Sequence, residues 1–367
     1  MHLTKKVQSI SEKEYRGLKN EINASAVKMY IQNKSRFVKE VVMGEPVERK
    51  DTADTIMGSM IHCRILEPET FEDKYVISQM LPPTGQMLEL VNTLYAEDIK
   101  TRDSEGRQQV QFEGIFLEAV NKVKYDHNLQ EIAFKGKSVE KIIEMFTTAD
   151  KKTGIAPEQY YKELLQNRDK TVVTMLQIEK CEKIVEEMKQ NKWIDRWVNA
   201  RDTEDQHVYN EHAIQFAYKD MKTRALIDRF IVNHEDKYIE PVDIKSVWDA
   251  EGVAYTYISR YWYIQAAMYD MALRHFAVEN GLDGYTILPL RWLITDTTGF
   301  NKSHTYRTTE RDLKKAYEGF HTRSGRYYPG LLPTLEEIIW ASDNGIWSYN
   351  KQLVDANGEY LLEIPYE

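Results

Sequence analysis

Cysteine is nearly missing from this chain. Cys63 and Cys181 are the two it has in 367 residues, which excludes a disulfide framework, a four-thiolate zinc site and an iron–sulfur cluster. Long apolar runs are missing too. No stretch approaches the roughly 20 residues that cross a bilayer, and no apolar segment near the N-terminus separates a basic start from a small-residue cleavage site. The expected location is therefore a reducing cytoplasm, with no membrane association. Internal repeats, low-complexity tracts and Gly/Ser linkers are also lacking, so nothing marks a domain boundary. With a net charge of −9, the chain lacks the uniformly basic surface of a protein that coats nucleic acid indiscriminately. An acidic metal site beside a locally basic groove remains compatible with that balance.

What the chain does have is the composition of a folded protein, 42% apolar and 29% charged, able to bury a sizeable core. Residues 25–42 carry apolar side chains at helical spacing, with Ser25 as the expected N-cap and Lys34, Arg36 and Lys39 along the helix. A second helix is expected from Asp54 to just before Pro68, with Gly58 and His62 four apart on one face. The region 79–200 reads as mainly helical and highly charged, its longest periodic stretch spanning 172–197. After Asp205 the pattern changes to β-branched and aromatic runs at 207–218, 223–232 and 238–244, split by polar breaks. A helix over 251–278 and a strand over 285–294 follow, so the order is β-β-β-α-β.

The chemistry concentrates in Leu226-Ile227-Asp228-Arg229 and Val242-Asp243-Ile244-Lys245. Strand alternation places Asp243 and Lys245 on one face, and a neighbouring strand brings Asp228 to the same point. Two carboxylates and an ammonium in one pocket suit phosphodiester hydrolysis. Mg²⁺ prefers hard oxygen ligands, which Asp228, Asp243, the Ile244 carbonyl and substrate phosphate would provide. Lys245 would either orient or deprotonate the attacking water or stabilise charge developing on the phosphate. A D-x-K tripeptide alone is commonplace on solvated strands. Here the strand before it is apolar, and the next helix carries Tyr257, Tyr261, Gln265 and Tyr269 at four-residue steps.

These residues resemble a known family. Gly58-x-x-x-His62 followed by Leu66-Glu67-Pro68-Glu69, then Asp228, Asp243-Ile244-Lys245, Asp249-Ala250 and Gln265-Ala266-Ala267-x-Tyr269 look like the nuclease domain of the RecE (exonuclease VIII) type and its phage relatives, in the PD-(D/E)XK superfamily. The resemblance runs from about residue 25 to 294, with its motifs in three short patches. It implies an α/β fold with a central mixed sheet flanked by helices. The catalytic core would comprise 25–78 and 205–300, with a helical insertion at 79–204 and a basic, aromatic extension at 301–367, all in one elaborated domain. It also implies His62 as a helix-borne metal ligand, Asp228 and Asp243 as carboxylate ligands, Lys245 as the catalytic lysine, and Gln265 and Tyr269 as residues that position DNA or the catalytic elements. The cofactor would be Mg²⁺ or Mn²⁺. The activity implied is processive 5′ to 3′ degradation of linear duplex DNA by a ring-shaped homo-oligomer, a trimer or tetramer, leaving 3′ tails for a single-strand annealing partner. A phage or prophage origin in a bacterial host goes with it. A structure-specific or restriction-type endonuclease has the same kind of metal site, and a catalytically idle DNA-binding protein keeps the same fold. An RNA-directed nuclease stays open as well, because no residue is marked as a reader of the 2′-hydroxyl.

For DNA contact, residues 301–330 hold seven basic side chains, Lys302, Arg307, Arg311, Lys314, Lys315, Arg323 and Arg326, against three acidic ones. Tyr306, Phe320, Tyr327 and Tyr328 are interleaved with them, a mixture suited to phosphate tracking and base stacking or, equally, to a solvated helix and loop. Glu211 is the best additional acidic candidate. His207, His212 and His234 lie near the acidic strands, and ordinary packing is the expected role of all three. Trp248, just after Lys245, would either wedge a duplex end or pack in the core, and core packing is the expectation.

Overall fold

In a computed structural model, the residues described are 14–15, 21–45, 52–103, 106–126, 129–151, 153–298 and 302–359. The chain divides into two units, one formed by 1–68 with 182–367 and the other by 69–181. Among the described residues no helix is long and apolar enough to cross a membrane.

The first unit is built on a mixed sheet. Three strands, β1 (Gln206–Tyr218), β2 (Met221–Asn233) and β3 (Tyr238–Val247), form an antiparallel meander. The two-residue β4 (Thr286–Ile287) and then β5 (Arg291–Asp296) run parallel to β3, and β6 (His304–Arg307) closes the far edge antiparallel to β5. Most of β2 is buried, as a strand covered on both faces must be. Helices α1 (Ala24–Gln32), α2 (Ala53–Leu66), α3 (Val253–Ser259) and α4 (Trp262–Glu279) flank the sheet. The parallel crossover from β3 to β5 runs through α3 and α4. The α4 helix is apolar nearly all round, the pattern of a helix enclosed by its neighbours. With α1 and α6 (Leu331–Asn344) it shares one core with Tyr209, Ile227, Phe230, Ile239, Trp292 and Ile294 of the sheet.

Several sequence expectations shift here. The N-caps are Asn23 and Thr52 instead of Ser25 and Asp54. Asn23 accepts from the Ala26 amide at 2.9 Å, and Thr52 exchanges hydrogen bonds with Thr55 in a capping box. The first helix also ends at Gln32, because Asn33 caps a new turn over Lys34–Phe37. The expected helix over 251–278 is two helices: Tyr261 adopts the left-handed conformation (φ 55°, ψ 36°) and separates them. The four-step stripe is thus broken, with Tyr257 and Tyr261 packing on Tyr263 while Gln265 and Tyr269 share one face of α4. The strand expected over 285–294 is β4 and β5, interrupted before Arg291. The periodic stretch 172–197 begins within the strand Thr171–Val173, runs through a helix Met175–Gln190 and ends within the short helix Asp195–Val198.

The second unit is largely helical. Its helices include Gly85–Lys100, Phe112–Lys124, Val139–Thr147 and Pro157–Gln166, packed around Leu90, Leu94, Phe116, Val120 and Phe146. A short parallel strand pair joins Tyr75–Ile77 to Thr171–Val173.

Candidate metal and catalytic site

The site lies where two strands part. The ladder between β2 and β3 runs from Asn233↔Tyr238 to Arg229↔Val242 and stops there. The next residues on the two strands are Asp228 and Asp243. Asp228 Oδ2 accepts a hydrogen bond from the Ile244 amide at 2.9 Å, so the carboxylate occupies a position that a ladder carbonyl would otherwise take. Asp243 is fully buried. Its Oδ1 accepts from Gln265 Nε2 at 2.5 Å and lies 3.4 Å from the Tyr269 hydroxyl. Its Oδ2 forms an ion pair with the Lys245 ammonium.

The α4 residues hold this carboxylate in place. The Tyr269 hydroxyl donates to the Leu226 carbonyl at 2.7 Å and accepts from Gln265 Nε2 at 2.9 Å. Lys28 of α1 donates to Gln265 Oε1 at 3.3 Å. A donor on Oε1 fixes the amide so that its nitrogen faces Asp243. Lys28 was not singled out from the sequence, where Lys34, Arg36 and Lys39 stood out on that helix; Lys34 instead pairs with Glu337 at 2.5 Å and Arg36 with Glu40.

The imidazole comes from α2. His62 Nε2 lies 2.6 Å from the Ile244 carbonyl, which can only accept, so Nε2 carries the proton. That leaves Nδ1 facing Asp228 Oδ2 at 3.5 Å. One turn earlier, a Cβ on Gly58 would come within 2.6 Å of Ser246 Oγ, so glycine permits the close approach of α2 to β3. The far end of α2 is anchored from the sheet. Arg229 donates to the Ile65 carbonyl at 3.2 Å and Asn210 to the Leu66 carbonyl at 2.9 Å, satisfying carbonyls that a helix C-terminus leaves unpaired. Burial brings the Arg229 guanidinium down to about 10 against the opposing pull of Asp228.

Glu211 completes the cluster. It falls opposite Asp228 in the β1–β2 register, between Asn210↔Arg229 and His212↔Ile227, and has φ 42°. A side chain in that conformation costs on the order of 1–2 kcal/mol. The strain coincides with a slip in the strand alternation. Tyr209 and Phe230 enter the α4 core on one side of it, while Ile214, Phe216, Ala225 and Ile227 enter the same core on the other. Such a slip turns side chains to new directions, as bulges do near active sites. One donor atom each from His62, Glu211 and Asp228 lies within 4.8 Å of the others.

Burial and neighbouring charge shift the titrating groups of the site in both directions. Burial and the neighbouring Asp228 push the Asp243 carboxyl up to about 6, against the pull of Lys245 and His62. Burial alone would lower Lys245, but Asp243 and Asp228 outweigh it and hold the ammonium above its ordinary value. Burial and the charge of Lys245 bring Lys28 down to about 7, with Asp243 opposing. Burial, then Asp228 and Asp243, raise the Tyr269 phenol well above its usual range. The two carboxylates of Glu211 and Asp228 are hard donors and the His62 imidazole a borderline one, while Asp243 lies outside this three-residue group; two ligands about 2.1 Å from one small cation can span up to about 4.2 Å. The 3.5 Å separation of Nδ1 and Oδ2 fits a divalent cation.

The structure therefore brings His62, Asp228, Asp243, Lys245, Gln265 and Tyr269 together, adds Glu211 and Lys28, and engages the Ile244 carbonyl with His62 Nε2. The basic candidates sit on and around β6, the helix after it and the hairpin that follows. Lys302 and Arg307 are exposed around β6, and α5 (Glu310–Glu318) carries the exposed Arg311 and Lys314 with the half-buried Lys315, which pairs with Asp312 at 3.5 Å. Arg323 and Arg326 are exposed around the hairpin of β7 (Gly319–His321) and β8 (Tyr327–Pro329). The aromatic side chains expected among them for base stacking mostly pack inward. Phe320 stacks on Tyr328, Tyr306 packs on the core, and Tyr327 alone of the four is exposed. His212 is buried among Tyr209, Phe230 and Phe276, and His234 hydrogen-bonds the Tyr285 hydroxyl at 2.8 Å.

No protein-family model and no curated protein sequence matches the chain. Among solved structures it is similar to a candidate exonuclease from Eubacterium rectale, with 10% identity over 98% of this chain and 97% of that one and a TM-score of 0.44. A likeness of that size leaves the functional reading to rest on the site itself.

Proposed function

We propose that this chain is a divalent-metal-dependent nuclease with a PD-(D/E)XK core, acting as an exonuclease on linear duplex DNA. The observation that carries the reading is the meeting of Asp228, Asp243, Lys245 and His62 where β2 and β3 diverge. A mixed sheet with β-β-β-α-β order supports the fold assignment. His62, Glu211, Asp228 and Asp243 would hold Mg²⁺ or Mn²⁺. When bound, the cation supplies Lewis-acid stabilisation of the charge that builds on the phosphate. Lys245, kept charged by its two aspartates, stabilises phosphate charge and orients the attacking water by donating to it. Gln265 and Tyr269 fix the direction of Asp243, and Lys28 fixes Gln265. Preorganised groups of this kind lower the barrier because they need not reorient as charge develops.

The RecE resemblance extends the reading to processive 5′ to 3′ degradation by a ring-shaped oligomer that hands 3′ tails to an annealing protein. A duplex threaded through a ring stays bound between cuts, which is the physical basis of processivity. The decisive experiment compares end-labelled linear duplex with covalently closed circles in Mg²⁺, in Mn²⁺ and in EDTA. Metal-dependent release of mononucleotides from the linear substrate alone is the expected result. Cutting of closed circles would make the protein an endonuclease. No metal-stimulated cleavage of either would leave a DNA-binding protein at most.

A further inference from the structure

The indole of Trp248 stands three residues beyond Lys245 and is 77% exposed. This overturns the expectation of core packing, and the ring is not exposed through a loose backbone. The Val247 carbonyl before it accepts from the Thr297 amide at 2.8 Å and its hydroxyl at 3.2 Å. Ala250 after it is fully buried, and its carbonyl accepts from the Tyr306 hydroxyl at 3.2 Å. Between them Asp249 Oδ1 accepts from the amides of Glu251 and Gly252 at 3.1 and 3.0 Å, closing a turn into α3. A Cβ at position 252 would come within 2.3 Å of Asp249 Oδ2, so this turn uses its glycine. Two residues into α3, Tyr255 is 78% exposed. The backbone around Trp248 is held from both sides, and the ring is presented to solvent.

We propose that Trp248, with Tyr255, is a stacking surface for an unpaired nucleobase of the DNA substrate beside the site of cleavage. The inference rests on the nuclease reading and adds to it the part of the substrate that is gripped. Three residues of chain span at most about 11 Å, or about three nucleotide steps at roughly 3.4 Å each. The Trp248 backbone is thus at most about three nucleotide steps from that of Lys245. The sequence neighbours of Trp248, Asp249 and Glu251, are acidic, whereas the centre of a subunit interface is depleted of charge. An aromatic face binds any base through stacking and needs no local cation to do so. Stacking requires an unstacked base, so ends with unpaired nucleotides should bind more tightly than blunt ends.

The test uses the full-length protein and duplex oligonucleotides with a three-nucleotide unpaired end carrying 2-aminopurine. Trp248→Ala should raise KM about 10-fold with a smaller change in kcat, and should abolish the quenching of 2-aminopurine fluorescence that the unaltered protein produces on binding. Trp248→Phe should retain most of the quenching, and Tyr255→Ala should lose part of it. Unchanged KM and quenching in Trp248→Ala overturn the proposal, as does a change in its sedimentation coefficient that marks the ring as a contact between copies. Hydrolysis of bis(p-nitrophenyl) phosphate by the unaltered protein, a substrate without a nucleobase, tests the nuclease reading separately. The fluorescence measurement needs no turnover, so it decides the stacking proposal even if that hydrolysis fails.

Discussion

Replacing Asp243 with Asn should make the metal-free protein more stable while removing its activity. A carboxyl that ordinarily loses its proton at 3.8 retains it to about 6 in the fold, through burial and the charge on Asp228. At about 1.4 kcal/mol per pKa unit, ionising Asp243 costs the folded state about 3 kcal/mol at neutral pH. The sign follows from linkage. Because the folded pKa is raised, this cost is fully present above about 6, shrinks as pH falls, and vanishes below 3.8. Asparagine keeps an acceptor for Gln265 but loses the ion pair with Lys245, so the net gain should be about 1–2 kcal/mol. For a unit of this size that is a rise of about 2–4 °C in Tm. Differential scanning calorimetry in EDTA at pH 7.5 should show it, and the rise should diminish as the pH is lowered from 6 towards 4. A variant less stable than the parent at pH 7.5, or a shift independent of pH, would refute the reasoning. Adding Mn²⁺ should reverse the order, raising Tm for the parent more than for the variant.

Lys245→Ala should lower kcat by about 10²–10⁴-fold with little loss of DNA affinity, measured by single-turnover kinetics and fluorescence polarisation. An equal loss of binding would mean that Lys245 chiefly grips phosphate. Glu211→Gln should weaken Mn²⁺ binding by at least about 10-fold in calorimetric titration, and unchanged affinity would remove Glu211 from the ligand set. Gly58→Ala should cost about 1–3 kcal/mol by forcing α2 away from Ser246. The double variant with Ser246→Ala should recover most of that loss in urea denaturation, because the clash is with Ser246 Oγ; purely additive losses would contradict the close approach.

Much of the sheet was legible in the sequence because its cause is local. Alternation at 207–218 and 223–232, broken by Lys219-Asp220, puts β1 and β2 within about two residues of their observed ends. The same period of two puts Asp243 and Lys245 on one face, whatever the strand packs against. Helix ends were less legible, since Asn23 and Ser25, or Thr52 and Asp54, are comparable caps until the rest of the fold selects the entry angle. The break at Tyr261 had no local signal. A tyrosine in the left-handed region has to be held there by its surroundings, and the packing of its ring on Tyr263 and Tyr328 shows what surrounds it.

By itself, then, the sequence determined the periodicities and the residue types that can bind a metal or hold phosphate charge, because both are properties of short stretches of chain. Tertiary structure decided which of those residues meet. Glu211 reaches Asp228 because the β1–β2 register sets the two opposite each other, and Lys28 reaches Gln265 because α1 packs against α4. It also decided that Trp248 is presented and Tyr328 enclosed. Burial is a sum over distant neighbours, and no window of sequence contains them all.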